Sequence, residues 1–461
     1  MKKFITDKSF YKLLISITLP IALQQLIQFG ISMMDTVMLG RLGEIQISAS
    51  SQANQPQFIF TIFIFGLGGG GSVLAAQYWG KKDLEAIRQV TGIVVKMALI
   101  CSILLTVAVK IFPQQIIELY LKNETAKDAK IISEAVDYIN IVSWGYVLIG
   151  VSMSLQILLR SVEVVKISVF SDLAGFIINI FFNWVFIFGN LGCPALGIKG
   201  AALATLIARI ISFLITVVYV FFIDKRLEFK VKYIFTRNKE LFKDFIKFAI
   251  PVVCNEVMWS LGISIQAAML GKIDPDVIAG NSIAGVLQQL STIIIFGIAN
   301  ATAVIIGKQI GSGDKIGAKN YAFTIMVWSV ILGILSAILI ILLRNPFVMI
   351  YNVSDEVRVL AKQLLLIVAV QVMFISVSAI SIVGVLRGAG DTNFTLKLEM
   401  IALWFIAVPL GAIMGFVVKA PIILVCICLK IDEPIKAIFA FIRTSFDSTY
   451  KDVTKTTIEE S

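Results

Sequence analysis

Residues 58–76 read FIFTIFIFGLGGGGSVLAA, and two readings of this stretch lead to different proteins. Gly66, Gly68 and Gly71 satisfy the G-x-G-x-x-G spacing of a dinucleotide-binding turn, which needs a strand before the glycines and a helix after them. No residue in the stretch is charged and none is proline. An apolar run of about 20 residues is the length that crosses a hydrocarbon core of about 30 Å as a helix, so the nucleotide motif is an accidental match. Five glycines among six residues then serve close helix packing or bending, and packing is the more ordinary use.

Outward from this stretch, the chain repeats the same texture. Of its 461 residues, 58% are hydrophobic and 15% charged, against about 45–50% and 25% in soluble domains. Apolar runs of spanning length start near Tyr11, Ser48, Ala86, Ile131, Lys166 and Lys199, then near Phe245, Val277, Gly317, Val357, Thr395 and Pro421. They are too long and too uniformly apolar for strands, which predicts an all-α integral membrane protein with twelve transmembrane helices, six per half. The run from Pro421 to Leu429 is cut by Lys430, Asp432, Glu433 and Pro434, and predicts a short, broken or partly surface helix.

The halves share one plan. Pro20, Gly40, Gly80 and Asp83 recur as Pro251, Gly271, Gly311 and Asp314, each 231 positions later. Leu159-Arg160 returns as Leu386-Arg387, and Asp172 as Glu399, at an offset of 227. Internal repeats of this kind mark secondary transporters. The expected organisation is an N-terminal lobe over 1–223, a linker over 224–244, a C-terminal lobe over 245–445 and a tail over 446–461.

Lys and Arg set the orientation. With the N-terminus inside, about 27 basic residues fall on the cytoplasmic side and about 11 outside, so both termini and the linker are expected in the cytoplasm. The net charge of +10 is spread among loops, and reflects membrane topology and anionic lipid rather than nucleic acid. Five cysteines without CxxC spacing and no histidine argue against zinc. Met1–Lys12 is a basic polar lead, and the first span is too long for a signal-peptide core. Gly307-Lys308 is followed by Gln309, which excludes a P-loop. No nucleophile constellation suggests an enzyme.

Polar groups inside spans are the functional candidates, because each ionisable one costs at least about 2.5 kcal/mol. Gln24, Gln28, Ser32 and Asp35 lie within about 80° on the first helix and should face the protein interior, lining a cavity. Asp172, Asn179 and Asn183 lie within about 40° on the fifth, and offer oxygens suited to a hard cation. Asp172 and its counterpart Glu399 are near helix ends, where a hydrated interfacial role is expected. Asn255, Glu256 and Gln266 mark the seventh span, with Gln266 at the repeat position of Asp35. Lys96 can snorkel, whereas Arg209 is deeper and should bond carbonyls or pair with an acid. Pro20 and Pro251 are a repeated pair of candidate hinges.

Four segments together resemble a known family: NIFFNWVFIFGNLGCPALGIKGAALATLIAR from Asn179, GSVLAAQYWGKKD from Gly71, IGKQIGSGD from Ile306 and LRGAGDT from Leu386. They are similar to the multidrug and toxic compound extrusion (MATE) family. The resemblance implies two pseudo-symmetric six-helix lobes around a central cavity, in a cell membrane. It also implies export of small organic cations in exchange for H+ or Na+, by a chain that works as a monomer without a cofactor. Residue by residue, Asp35 matches the first-helix acid that couples the cation in many bacterial members. Asn179 and Asn183 match the fifth-helix pair, whose second member is often Asp, and Thr205 matches a sixth-helix hydroxyl. Glu256 resembles the seventh-helix acid of the NorM branch, although the tenth span has no acid where that branch has one. The alternative within the same superfamily is a flippase for lipid-linked precursors, for which more cationic residues than Arg209 would be expected to face the cavity.

Overall fold

The computed structural model describes residues 3–121, 125–274 and 276–454, and all regular structure among them is helical. In chain order the helices are α1 (Lys8–Gly40), α2 (Glu44–Lys81), α3 (Leu84–Ile111), α4 (Pro113–Glu118), α5 (Ala126–Val142), α6 (Gly145–Ser161), α7 (Lys166–Phe188) and α8 (Ile198–Val218). A four-residue α9 (Lys232–Phe235) precedes α10 (Lys239–Ile273), α11 (Asp276–Gly311), α12 (Lys315–Met349) and α13 (Asp355–Ala379). The chain ends in α14 (Thr392–Glu399), α15 (Val408–Ala412), α16 (Ile422–Leu429) and α17 (Asp432–Arg443). Wider π-type turns extend α8 to Ile223 and α13 to Leu386, and join α14 and α15 into one helical stretch that ends at Val417.

Ten helical stretches among the described residues are long and apolar enough to cross a membrane. An eleventh is made by α5 and α6 taken together, bent by 54°. The twelfth expected span lacks that length. In its place are the eight-residue α16, a turn, and α17, whose Ile438, Phe439 and Ile442 are exposed while Asp432, Glu433 and Lys436 are buried. An apolar outer face over a charged inner one is the reverse of a helix lying on a soluble protein.

The chain forms two compact units. One comprises Leu23–Gly71 and Leu84–Phe245; the other comprises Met1–Ala22, Ser72–Asp83 and Ile246–Ser461. Within the first, the glycine run packs tightly: a Cβ on Gly68 would lie 2.6 Å from Ile157 and one on Gly71 2.5 Å from Val94, so bulk is excluded there by α6 and α3. The 224–244 segment is also held down. Arg88 donates to the Leu227 carbonyl at 2.6 Å and the Tyr233 hydroxyl to Glu85 at 2.8 Å. A side chain on Gly92 would run into the Tyr233 carbonyl.

The second unit explains the repeat in physical terms. A Cβ on Gly80 would collide with the Lys308 carbonyl, and one on Gly311 with the Gln77 carbonyl. Lys308 is the repeat position of Gln77, so α2 and α11 meet through equivalent residues on both sides. Gly307 faces its own counterpart Ala76 in the same contact, at 2.7 Å from a built Cβ. Three residues on, Asp314 caps α12 by accepting from the Gly317 N–H at 2.7 Å, and Asp83 stands at the same place before α3. The repeated Gly and Asp are thus a close helix contact and a helix start. Gly311→Ala adds a methyl against backbone that cannot swing aside. Its expected effect is a loss of about 1–3 kcal/mol, read as a lower melting temperature in detergent; an unchanged melt would show that the helices separate freely.

The LRGAGDT segment also has a structural use. Asp391, 3% exposed, accepts from Arg443 and Lys451, each at 2.8 Å. Gln77 bonds the carbonyls of Gly388 and Lys451 and the Val453 N–H. The expected tail, 446–461, is therefore packed down as far as residue 454; residues 455–461 lie outside the described residues.

Candidate functional site

In the first unit, α1, α7 and α8 bring together the four residues singled out for cation coupling. Asn183 Nδ2 donates to Asp35 Oδ1 at 2.6 Å and to Asn179 Oδ1 at 3.1 Å, and Asn179 Nδ2 donates to Thr205 Oγ1 at 3.4 Å. Asn179, Asn183 and Thr205 are buried, and Asp35 is half-buried. The spacing of α7 produces this line: residues 179 and 183 are one turn apart and share a face. Gly189, at φ +75°, ends α7 in the left-handed conformation and turns the chain toward α8. Tyr138 of α5, also buried, faces Asp35 and Thr205, and Arg209 of α8 adds positive charge nearby.

Asn183 Oδ1 is buried without a hydrogen-bond partner. An amide oxygen left bare in this way carries a desolvation cost of about 1–3 kcal/mol. The residue that carries this oxygen belongs to the same hydrogen-bonded line as Asp35, Asn179 and Thr205. Carboxylate, amide and hydroxyl oxygens are the donor types that a hard monovalent cation takes, and the same carboxylate is a proton acceptor.

Further along the same two helices lies a second polar group. Asp172 Oδ2 accepts from both Gln24 and Gln28, each at 2.9 Å. Gln24 also meets Gln156 at 3.2 Å and accepts from Arg160 at 3.3 Å, and Gln156 reaches Thr216 at 3.3 Å. Ser32 is exposed and bonds only the Gln28 carbonyl, at 3.4 Å. The stripe on α1 is therefore consumed in contacts with α7 and α6 at Gln24 and Gln28.

Asp172 and Glu399 are not the hydrated interfacial groups that their positions suggested. They are 6% and 3% exposed. Depth along a single helix does not set exposure: neighbouring helices cover these ends, and burial is then compensated by partners inside the protein. Glu399 meets Lys436 at 3.3 Å, and the same ammonium holds Asp432 at 2.8 Å and Glu433 at 2.7 Å.

The remaining candidates belong to the second unit. Glu256 is paired with Arg387 at 2.5 Å, with side chains 14% and 5% exposed. Asn255 is buried with its Nδ2 unbonded. Gln266 donates to the Leu429 carbonyl at 2.8 Å, so the residue at the repeat position of Asp35 joins α10 to α16. Pro20 and Pro251 lie inside continuous helices. Sequence reasoning noted the Leu-Arg repeat without assigning Arg160 or Arg387 a site. Their recurrence beside Asp172 and Glu399 at one offset was the available signal.

Comparison with known proteins identifies the family and the fold. The model of the MatE family matches residues 20–185 and 249–413, one match in each half. The chain is 26% identical over 428 residues to a probable multidrug resistance protein NorM of Pasteurella multocida, covering 89% of this chain and 88% of that protein. It is 24% identical over 416 residues to the multidrug resistance protein MdtK of Photorhabdus laumondii, covering 90% and 89%. Among solved structures, an outward-facing multidrug resistance MATE transporter of the MOP superfamily superposes with a TM-score of 0.86 at 17% identity, over 99% of this chain and all of that one.

Proposed function

The chain belongs to the MatE family of membrane transporters, and from that premise we propose that it is a secondary active antiporter, exporting organic cations or drugs in exchange for H+ or Na+ by alternating access. The observation that carries this reading is the hydrogen-bonded line from half-buried Asp35 through buried Asn183 and Asn179 to Thr205, with the Asn183 amide oxygen left bare. A proton or Na+ taken up there neutralises Asp35. Attraction for an organic cation is lost, the contact between α1 and α7 changes, and release is tied to ion entry. The names of NorM and MdtK relatives support drugs as the cargo class. The proposed setting is a cell membrane crossed twelve times, with α16 and α17 as the last crossing, the 224–244 linker and both termini in the cytoplasm, and a single chain as the working unit. Pro20 and Pro251 are the proposed bending points.

The test is dye transport by purified protein in vesicles with an imposed Na+ or pH gradient. Gradient-driven movement of a cationic dye is the expected result. Scrambling of lipid in its place would identify a flippase, and flux indifferent to both gradients a channel; either overturns the reading. Asn183→Asp adds a second negative oxygen beside Asp35 and is expected to shift transport toward Na+ dependence, lowering the Na+ concentration for half-maximal rate. An unchanged Na+ response in transport and in direct Na+ binding would make the two asparagines packing groups.

A further inference from the structure

We infer that Asp172 is a second coupling carboxylate, which latches α1 to α7 while ionised and releases it when a proton or Na+ neutralises the charge. The inference rests on the antiporter reading and extends it to a residue outside the Asp35 line.

The geometry is reciprocal. Near one end of the contact, α7 supplies the carboxylate and α1 the amides, with Gln24 and Gln28 both donating to one oxygen of Asp172. Near the other end, α1 supplies the carboxylate and α7 the amide, with Asn183 donating to Asp35. Gln24 and Asp35 on α1, like Asp172 and Asn183 on α7, are eleven residues apart, about three turns and about 16 Å, so both latches lie along one seam. Two N–H groups aimed at one oxygen are held by its negative charge. Neutralising that oxygen removes the charge-assisted part of both bonds, and the amides lose the reason for their orientation.

The repeat provides an internal comparison. Glu399, at the position of Asp172, meets the Lys436 ammonium, and Glu256 meets Arg387. Those carboxylates are tied to permanent cations. Asp35 and Asp172 form no ion pair among the described residues and are held by neutral amides; the cations facing Asp172 are Arg160 of α6, bonded to Gln24, and Arg209 of α8. A carboxylate held by neutral amides can exchange a small cation without breaking a direct ion pair. The contact also starts where α1 enters this unit, at Leu23, so releasing Gln24 and Gln28 frees the first turns of that segment.

The experiment places spin labels at two exposed positions beside the latch, Leu23→Cys and Phe170→Cys, in a full-length chain whose native cysteines are replaced, in vesicles without drug. The expected result is a distance distribution that shifts on lowering the pH or on adding Na+, the effective ion naming the ligand. Asp172→Asn is expected to fix the neutral-state distribution in both conditions. Asp172→Gln combined with Gln28→Glu returns one carboxylate to the other side of the same bond and is expected to restore the ion response. An ion-insensitive distribution in the parent chain overturns the inference, as does an Asp172→Asn response like the parent's or a charge exchange that restores nothing. Because no substrate is present, this readout stands apart from the gradient-driven dye assay, and failure of one leaves the other interpretable.

Discussion

Asp35→Asn is expected to abolish gradient-driven efflux while leaving folding and membrane insertion intact. The substitution is nearly isosteric, and the new side-chain oxygen can still accept from Asn183, so the link between α1 and α7 that spans 2.6 Å in the parent keeps its acceptor. What disappears is the change of charge, and an equilibrium moves only as far as a ligand distinguishes its two states. Efflux under an imposed gradient, normalised to protein in the membrane, is the measurement. Glu256→Gln provides the contrast: it is expected to keep measurable transport with altered substrate preference, and to melt lower because the buried Glu256–Arg387 ion pair is lost. Full activity in Asp35→Asn together with a dead Glu256→Gln would move coupling to the second unit.

Lys436→Met is expected to have the largest effect on stability. One ammonium, 3% exposed, meets Asp432, Glu433 and Glu399 within 3.3 Å, and Ser378 donates to Glu433 at 2.5 Å. Taking away the cation leaves three buried carboxylates facing one another, and breaking a buried pair from one side costs about 3–5 kcal/mol. Yield from the membrane and melting temperature in detergent should both fall. Adding Glu399→Gln and Glu433→Gln to the same chain should recover part of the loss, since replacing an entire buried ionic group is often close to neutral. A single variant that melts like the parent would mean that water reaches the cluster.

Most of the helical plan was legible in the sequence, because a lipid-spanning helix must satisfy its backbone internally and therefore shows as an unbroken apolar run. Residues 58–76 could be read without any knowledge of their neighbours. Local periodicity likewise placed Asn179 and Asn183 on one face. Partners across helices were not legible. Nothing in the order of residues says that Gln24 and Gln28 meet Asp172, that Gln266 ends on the Leu429 carbonyl, or that Lys436 serves three acids, since these depend on which helices pack together. The burial of Asp172 and Glu399 was not legible for the same reason. The expected twelfth span does not stand out as an apolar run, because Asp432, Glu433 and Lys436, which interrupt a hydropathy profile, are buried on α17.

The contact between α2 and α11 has a further meaning. Gly80 sits against the Lys308 carbonyl and Gly311 against the carbonyl of the corresponding residue, Gln77. A surface in which residue i touches j while the equivalent of i touches the equivalent of j is isologous, the arrangement by which two identical subunits form a closed dimer. Each half of this chain thus carries a patch complementary to the equivalent patch of the other, and neither glycine can enlarge without damaging a contact made by its twin. Covalent joining through the 224–244 segment turns such a pairing into an intramolecular one, raising the effective concentration of each half for the other. It also frees the halves to diverge in their acids, as Asp35 and Gln266 have done, while the self-matched seam stays fixed.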